Sequence, residues 1–218
     1  MQTIPASLQS KRQGGYTIVE VSIALAIIGI LLVAGLSGAN SLLLSSKANT
    51  QIEESSRAMA KLQSNLSSTT VTSLTTVSAI GMGLFPSSRA SVSGSGTSAT
   101  GTVLTAMGGG NEFVLSNAAL LDTGTHNITL AIGGGVIYTL TNIPKGACSE
   151  IAASLASFAN AAYVYSATTT PTESTAGSNT SLGKDNQIKA PGAAVQGTKL
   201  GTQCNSADLV HMSFILRP

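Results

Sequence analysis

Between Tyr16 and Leu44 the chain is an almost unbroken apolar run, preceded by Lys11 and Arg12 and carrying one charged residue, Glu20. Residues 16–36 match the roughly 20 residues that a helix needs to cross a bilayer. The run is therefore a membrane-inserting segment. Basic residues stay on the cytoplasmic side, so Lys11 and Arg12 send everything beyond residue 44 outward.

Glu20 is the anomaly, because insertion scales set the cost of an acid at the centre of such a helix at up to about 3 kcal/mol. A cut between Gly15 and Tyr16 would resolve it. The new amine would lie only about 6 Å along the helix axis from Glu20, at 1.5 Å per residue. A helix points its side chains away from its own first nitrogen, so the geometry favours an amine from a staggered neighbouring helix. Glu20 then acts as a register device for stacking identical helices in an apolar medium. Two other readings stay open. One is a secretory signal peptide cut near Ser37-Gly38-Ala39, in which neither Glu20 nor Gly14-Gly15 has a role. The other is an uncut anchor that tolerates Glu20.

The string Gly14-Gly15-Tyr16-Thr17-Ile18-Val19-Glu20 resembles the class III signal of type IV prepilins. The resemblance implies that a membrane prepilin peptidase and methyltransferase cuts after Gly15 and methylates the amine of Tyr16. It also implies that Glu20, with Thr17 beside it, serves subunit assembly. Gly29 falls where that family commonly keeps a helix glycine. The chain departs from the family at Ser37, where a helix-bending proline is common. Gly35 and Gly38 flank it, and each lowers helix stability by roughly 1 kcal/mol relative to alanine.

The rest of the composition narrows the function classes. Charged residues make up 9% of the 218 residues, against roughly 25% in ordinary globular chains, which suits an extracellular or assembled protein. Lys11 and Arg12 account for the net charge of +2, since the remaining basic residues balance the nine acidic ones. A neutral body with few aromatic residues offers no footprint for nucleic acid. His126 and His211, far apart and without an acidic cluster, predict neither a catalytic base nor a metal site and read as turn or strand-surface residues. The triplets Gly108–Gly110 and Gly133–Gly135 lie in no phosphate-loop context and read as turns. The sequons at Asn65, Asn127 and Asn179 are expected by chance in so Ser/Thr-rich a chain. The sequence thus predicts no enzyme and no cofactor.

Beyond Leu44 the pattern becomes amphipathic, with Ile52, Met59, Leu62 and Leu66 on one stripe and Lys47, Glu53, Glu54, Arg57 and Lys61 on other faces. One helix from Tyr16 to Leu66 would run roughly 75 Å. Residues 67–110 read as an irregular connecting loop, with Ser91–Gly101 its least structured part. Strands are predicted at Phe113–Leu115, Asn127–Ile132 and Val136–Ile143, the last two forming a hairpin about the glycine triplet. A helix is predicted from Cys148, with Ile151, Leu155 and Phe158 on its apolar face. A polar loop follows over 166–203, and a final strand over Leu209–Leu216 has Val210, Met212, Phe214 and Leu216 on one side. Cys148 and Cys204, an even count in an exported chain, predict one disulfide that closes a 56-residue loop and ties the helix to the last strand.

The expected fold class is α+β: a long amino-terminal helix with a protruding apolar half, an antiparallel sheet head and a carboxy-terminal disulfide-closed region. Its divisions are a leader at 1–15, a transmembrane or filament-core helix at 16–44, an amphipathic continuation at 45–66 and a head at 67–218. Within the head lie the loop 67–110, strands 111–147, the disulfide-bounded region 148–204 and the final strand 205–218. This arrangement, with a 15-residue leader and a mature length of 203, resembles type IVb pilins. The stretch Thr141–Cys148 is similar to pilins of conjugative thin pili. The resemblance implies a pilus subunit that sits first in the bacterial inner membrane, head in the periplasm, and then in an extracellular homo-oligomeric filament. Its partners would be copies of itself, the peptidase and the inner-membrane assembly machinery. The expected place is the major pilin, with a minor or tip pilin of adhesin-like role and a type II secretion pseudopilin as the alternatives.

Overall fold

A computed structural model of the chain describes residues 15–68, 74–115, 135–166, 171–172 and 182–217. The first element is α1, Ile18–Ser68, a single 51-residue helix that passes through Gly29, Gly35 and Gly38 without a break. The chain divides into two compact units, one ending at Leu42 and the other beginning at Leu43. In the first unit every large apolar side chain of the helix is exposed, from Ile18 through Leu36 and Leu42. Nothing in their own unit covers them.

In the second unit α1 buries Ala48, Gln51, Ser55, Ala58, Met59 and Leu62. The stripe is more polar than its spacing predicts. Met59 and Leu62 are core as expected, Ile52 is half-buried, and the side chain of Leu66 lies outside the described set. Gln51 and Ser55 occupy the middle of the buried face because they meet polar partners there.

Five strands form one antiparallel sheet: β3 (Glu112–Leu115), β4 (Val136–Pro144), β5 (Ala161–Tyr165), β6 (Gln187–Lys189) and β7 (Leu209–Leu216). Their spatial order is β3-β4-β7-β5-β6. The alternation in β7 places Val210, Met212, Phe214 and Leu216 in the main core with Tyr138, Leu140, Val164 and the helices. The opposite face is buried too, by Ile137, Ala161, Tyr163, Tyr165, Leu182 and Ile215. The sheet is therefore covered on both faces. His211, read as a strand-surface residue, is 2% exposed, and its ring packs 5.6 Å from that of Tyr165.

The described part of the loop expected over 67–110 contains a helix and two paired strands. Helix α2 (Thr76–Gly81) is capped by the Thr75 hydroxyl, and β1 (Ala90–Ser93) pairs with β2 (Thr100–Val103) as a two-stranded sheet. Ser91–Gly101, the stretch richest in loop-forming residues, is thus a hairpin. Backbone pairing needs no apolar side chains, and Gly94 and Gly96 supply the positive φ its connection requires. Gly101 lets β2 lie against α2, since a Cβ there would stand 2.9 Å from the Val77 nitrogen. Asn127–Ile132, the Gly133-Gly134 part of the expected hairpin turn and His126 lie outside the described residues.

Helix α3 (Lys145–Ala156) begins three residues before Cys148. The polar loop expected over 166–203 holds β6 and also α4 (Gly197–Cys204), whose buried residues are Leu200 and Cys204. Two apolar positions one turn apart are too few for periodicity to reveal. The disulfide Cys148–Cys204 is formed, with a Cα separation of 5.6 Å. Cys204 ends α4, so the bridge joins α3 to α4 rather than to the last strand directly. Lys189 of β6 closes the other end of α3, donating to the carbonyls of Ala156 and Ala159 at 2.6 and 2.7 Å.

Candidate assembly helix and the buried polar cluster

The start of α1 is built by Thr17. Its hydroxyl oxygen accepts the Glu20 amide hydrogen at 3.3 Å, and its carbonyl accepts the Val21 amide at 3.2 Å. Thr17-Ile18-Val19-Glu20 has the Thr-x-x-Glu spacing of a capping box, in which the first hydroxyl satisfies an amide that has no partner within the helix. One turn on, the Ser22 hydroxyl donates to the Ile18 carbonyl at 2.6 Å, which hides its polarity from an apolar medium. Glu20 sits in the first turn, where the helix dipole favours an anion.

Tyr16, 81% exposed, and Glu20 line one shallow groove with Val21, Ala24 and Leu25. A second groove runs along Ala26, Gly29, Ile30, Val33 and Ala34. Gly15 has no atom within 4 Å of the position its Cβ would take. Gly14 lies outside the described residues. The structure therefore brings Tyr16, Thr17 and Glu20 together within one turn, on an apolar helix without cover in its own unit.

Residues 10–36 match the prokaryotic N-terminal methylation motif. That is the prepilin-type signal. The matched stretch takes in Lys11, Arg12, the glycine pair, Tyr16, Thr17 and Glu20, and it supports a type IV pilin-like or pseudopilin-like subunit. It implies processing by a prepilin peptidase and assembly into a pilus. The apolar helix fits a membrane-anchored precursor that becomes part of an extracellular fibre. The motif points to a structural subunit rather than an enzyme. No curated protein matches the chain.

Cys148 and Cys204, the other predicted pair, are buried and bonded to each other, far in sequence from the motif. Among the described residues no group of three His, Cys, Asp or Glu side chains is placed to hold a metal ion.

The sequence reading missed a buried polar cluster in the second unit. Glu112 at the start of β3 is 1% exposed. Its Oε1 accepts from Gln51 Nε2 at 2.8 Å, and its Oε2 is bonded to the Tyr138 hydroxyl. Gln51 also donates to Ser55 at 2.7 Å and accepts the Ala106 amide at 2.6 Å. Arg89 reaches Glu112 at 3.4 Å and pairs with Glu54 of α1. Burial raises the Glu112 carboxyl above the usual carboxylate range, although Gln51, Tyr138 and Arg89 pull it down. Burial, and then the charge of Glu112, raise the Tyr138 hydroxyl well above its ordinary value. A Gln and a Ser on the core face of an otherwise apolar stripe, at 51 and 55, were the only sequence signal of this cluster.

Proposed function

We propose that this chain is a structural subunit, the major pilin, of a type IVb-like pilus that serves surface attachment or conjugative contact. In this reading a prepilin peptidase removes residues 1–15, cutting after Gly15, and the new amine of Tyr16 is methylated. The helix over 16–44 first holds the precursor in the inner membrane and then forms the filament core with copies of itself. Residues 45–66 continue that helix, and the rest of the head faces outward.

The observation that carries the proposal is the methylation motif at the start of a helix whose large apolar side chains are exposed from Ile18 through Leu42. An apolar helix alone would be an anchor. A carboxylate one turn from a newly cut amine is a part suited to stacking, because each charge then offsets the other's burial in the fibre core. The type IVb assignment draws on the head: an antiparallel sheet followed by a disulfide that encloses helix α3, as the resemblance implies. The same bridged region, which pseudopilins commonly lack, favours a pilin over a secretion pseudopilin.

Mass spectrometry of sheared surface fibres tests this reading. It expects an N-methylated chain that starts at Tyr16 and is 2 Da lighter than its reduced form. A start near Asn40, or recovery of the chain only as soluble protein, would overturn it.

A further inference from the structure

Among the described residues Glu112 is the one fully buried acid, and the charges around it do not balance. Among the described residues, the ionisable and polar side chains joined to this cluster are Gln51, Glu54 and Ser55 from α1, Arg89 from the segment before β1, and Tyr138 from β4. One guanidinium stands before two carboxylates. Glu54 contacts it directly through a buried oxygen on a side chain that is 26% exposed, whereas Glu112 is 3.4 Å away on a side chain that is 1% exposed. Glu53 and Arg57 pair with each other on the exposed side of α1 and lend no charge to the cluster. With both acids ionised the site would bury a net negative charge, which a low-dielectric interior strongly disfavours.

We propose that the folded head carries Glu112 as a neutral acid, so that the cluster is a proton-uptake device that tightens the Gln51–Ser55 turn of α1 onto the sheet as pH falls. The hydrogen bonds accommodate either protonation state. With Glu112 protonated, its hydroxyl donates to the Tyr138 oxygen, and Tyr138 turns its own hydrogen to Ser55 Oγ at 3.1 Å. With Glu112 ionised, Tyr138 turns back and donates to the carboxylate. Only the second state leaves an anion in the core. Burial raises the carboxyl in the folded chain, in agreement with the charge count. A raised folded-state pKa makes stability fullest below the unfolded value of about 4.5 and erodes it as pH climbs to the folded one. The inference does not rest on the pilus reading and holds whether or not the chain polymerises.

The test is thermal unfolding of the full chain and of Glu112→Gln in detergent micelles between pH 4 and 8. Gln keeps the shape and donor-acceptor pattern of the neutral acid. His211 titrates equally in both chains, so the difference between their Tm values isolates Glu112. That difference should shift in favour of Glu112→Gln by roughly 3–5 °C per pH unit above about pH 4.5, then level off. A constant difference, or one that grows in favour of the parent chain, overturns the proposal. If Glu112→Gln fails to fold, carboxyl carbon NMR of the parent chain decides. One glutamate still protonated above pH 6 supports the proposal, and complete titration of all of them near about pH 4.5 sinks it.

Discussion

The Thr17 hydroxyl accepts the Glu20 amide, so the second residue after the predicted cut fixes the turn that presents the Glu20 carboxylate. Thr17→Ala should destabilise this first turn by about 1 kcal/mol, and Thr17→Ser should retain it. Amide hydrogen exchange at Glu20 and Val21 in micelles measures the effect. Equal protection in all three chains would show that Thr17 has no capping role.

Glu20→Val and Gly15→Val separate assembly from processing. Glu20→Val should leave cleavage after Gly15 intact while fibre yield falls at least tenfold, scored by shearing and immunoblot. Gly15→Val should leave the precursor uncut. Normal fibres from either variant would contradict the assigned roles.

Gly110 and Gly201 predict opposite outcomes for the same substitution. A Cβ on Gly110 would stand 1.9 Å from the Thr141 carbonyl oxygen, so Gly110→Ala must push the turn at Gly108–Gly110 away from β4. It should destabilise the head by about 1–3 kcal/mol. Gly201 lies within α4 with nothing within 4 Å, so Gly201→Ala should stabilise by up to about 1 kcal/mol. Tm shifts of opposite sign are the expected result.

The disulfide closes a 56-residue loop. Replacing Cys148 and Cys204 together with serine should destabilise the head by about 2–4 kcal/mol. Both sulfurs are buried, so dithiothreitol should leave the bridge intact in the native state and break it only under denaturant. Alkylation followed by mass measurement distinguishes these states.

His211 contributes a pH dependence opposite in sign to that of Glu112. Its Nδ1 accepts the Asn142 amide at 3.2 Å, where the chain bulges in β4 at a φ of 54°. Burial lowers its pKa. Its contribution is therefore full above the unfolded value of about 6.5 and is lost as pH falls below it. The Tm advantage of the parent chain over His211→Gln should shrink between pH 7 and 5, and an advantage that is flat across this range would refute the neutral acceptor role.

The long helix, the strand Leu209–Leu216 and the disulfide pair were legible because each rests on a local regularity: an apolar run, an alternation, an even cysteine count. The hairpin at Ser91–Gly101 and helix α4 were not legible. Their side chains are mostly Ser, Thr, Gly and Gln, and backbone hydrogen bonds and neighbouring elements hold them in place. His211 was misread for a related reason. Alternation tells which residues share a face, but not that the second face is covered as well.

What the sequence determined by itself is the membrane-inserting helix, its basic flank and the Glu20 anomaly, because transfer out of water depends on composition within one contiguous segment. Only the tertiary structure decided that Gln51, Ser55, Arg89, Glu112 and Tyr138 meet in one buried cluster. These residues come from a helix, a connecting segment and two strands. What a buried charge or hydrogen bond contributes is set by the partner that folding brings to it, and no local pattern encodes that partner.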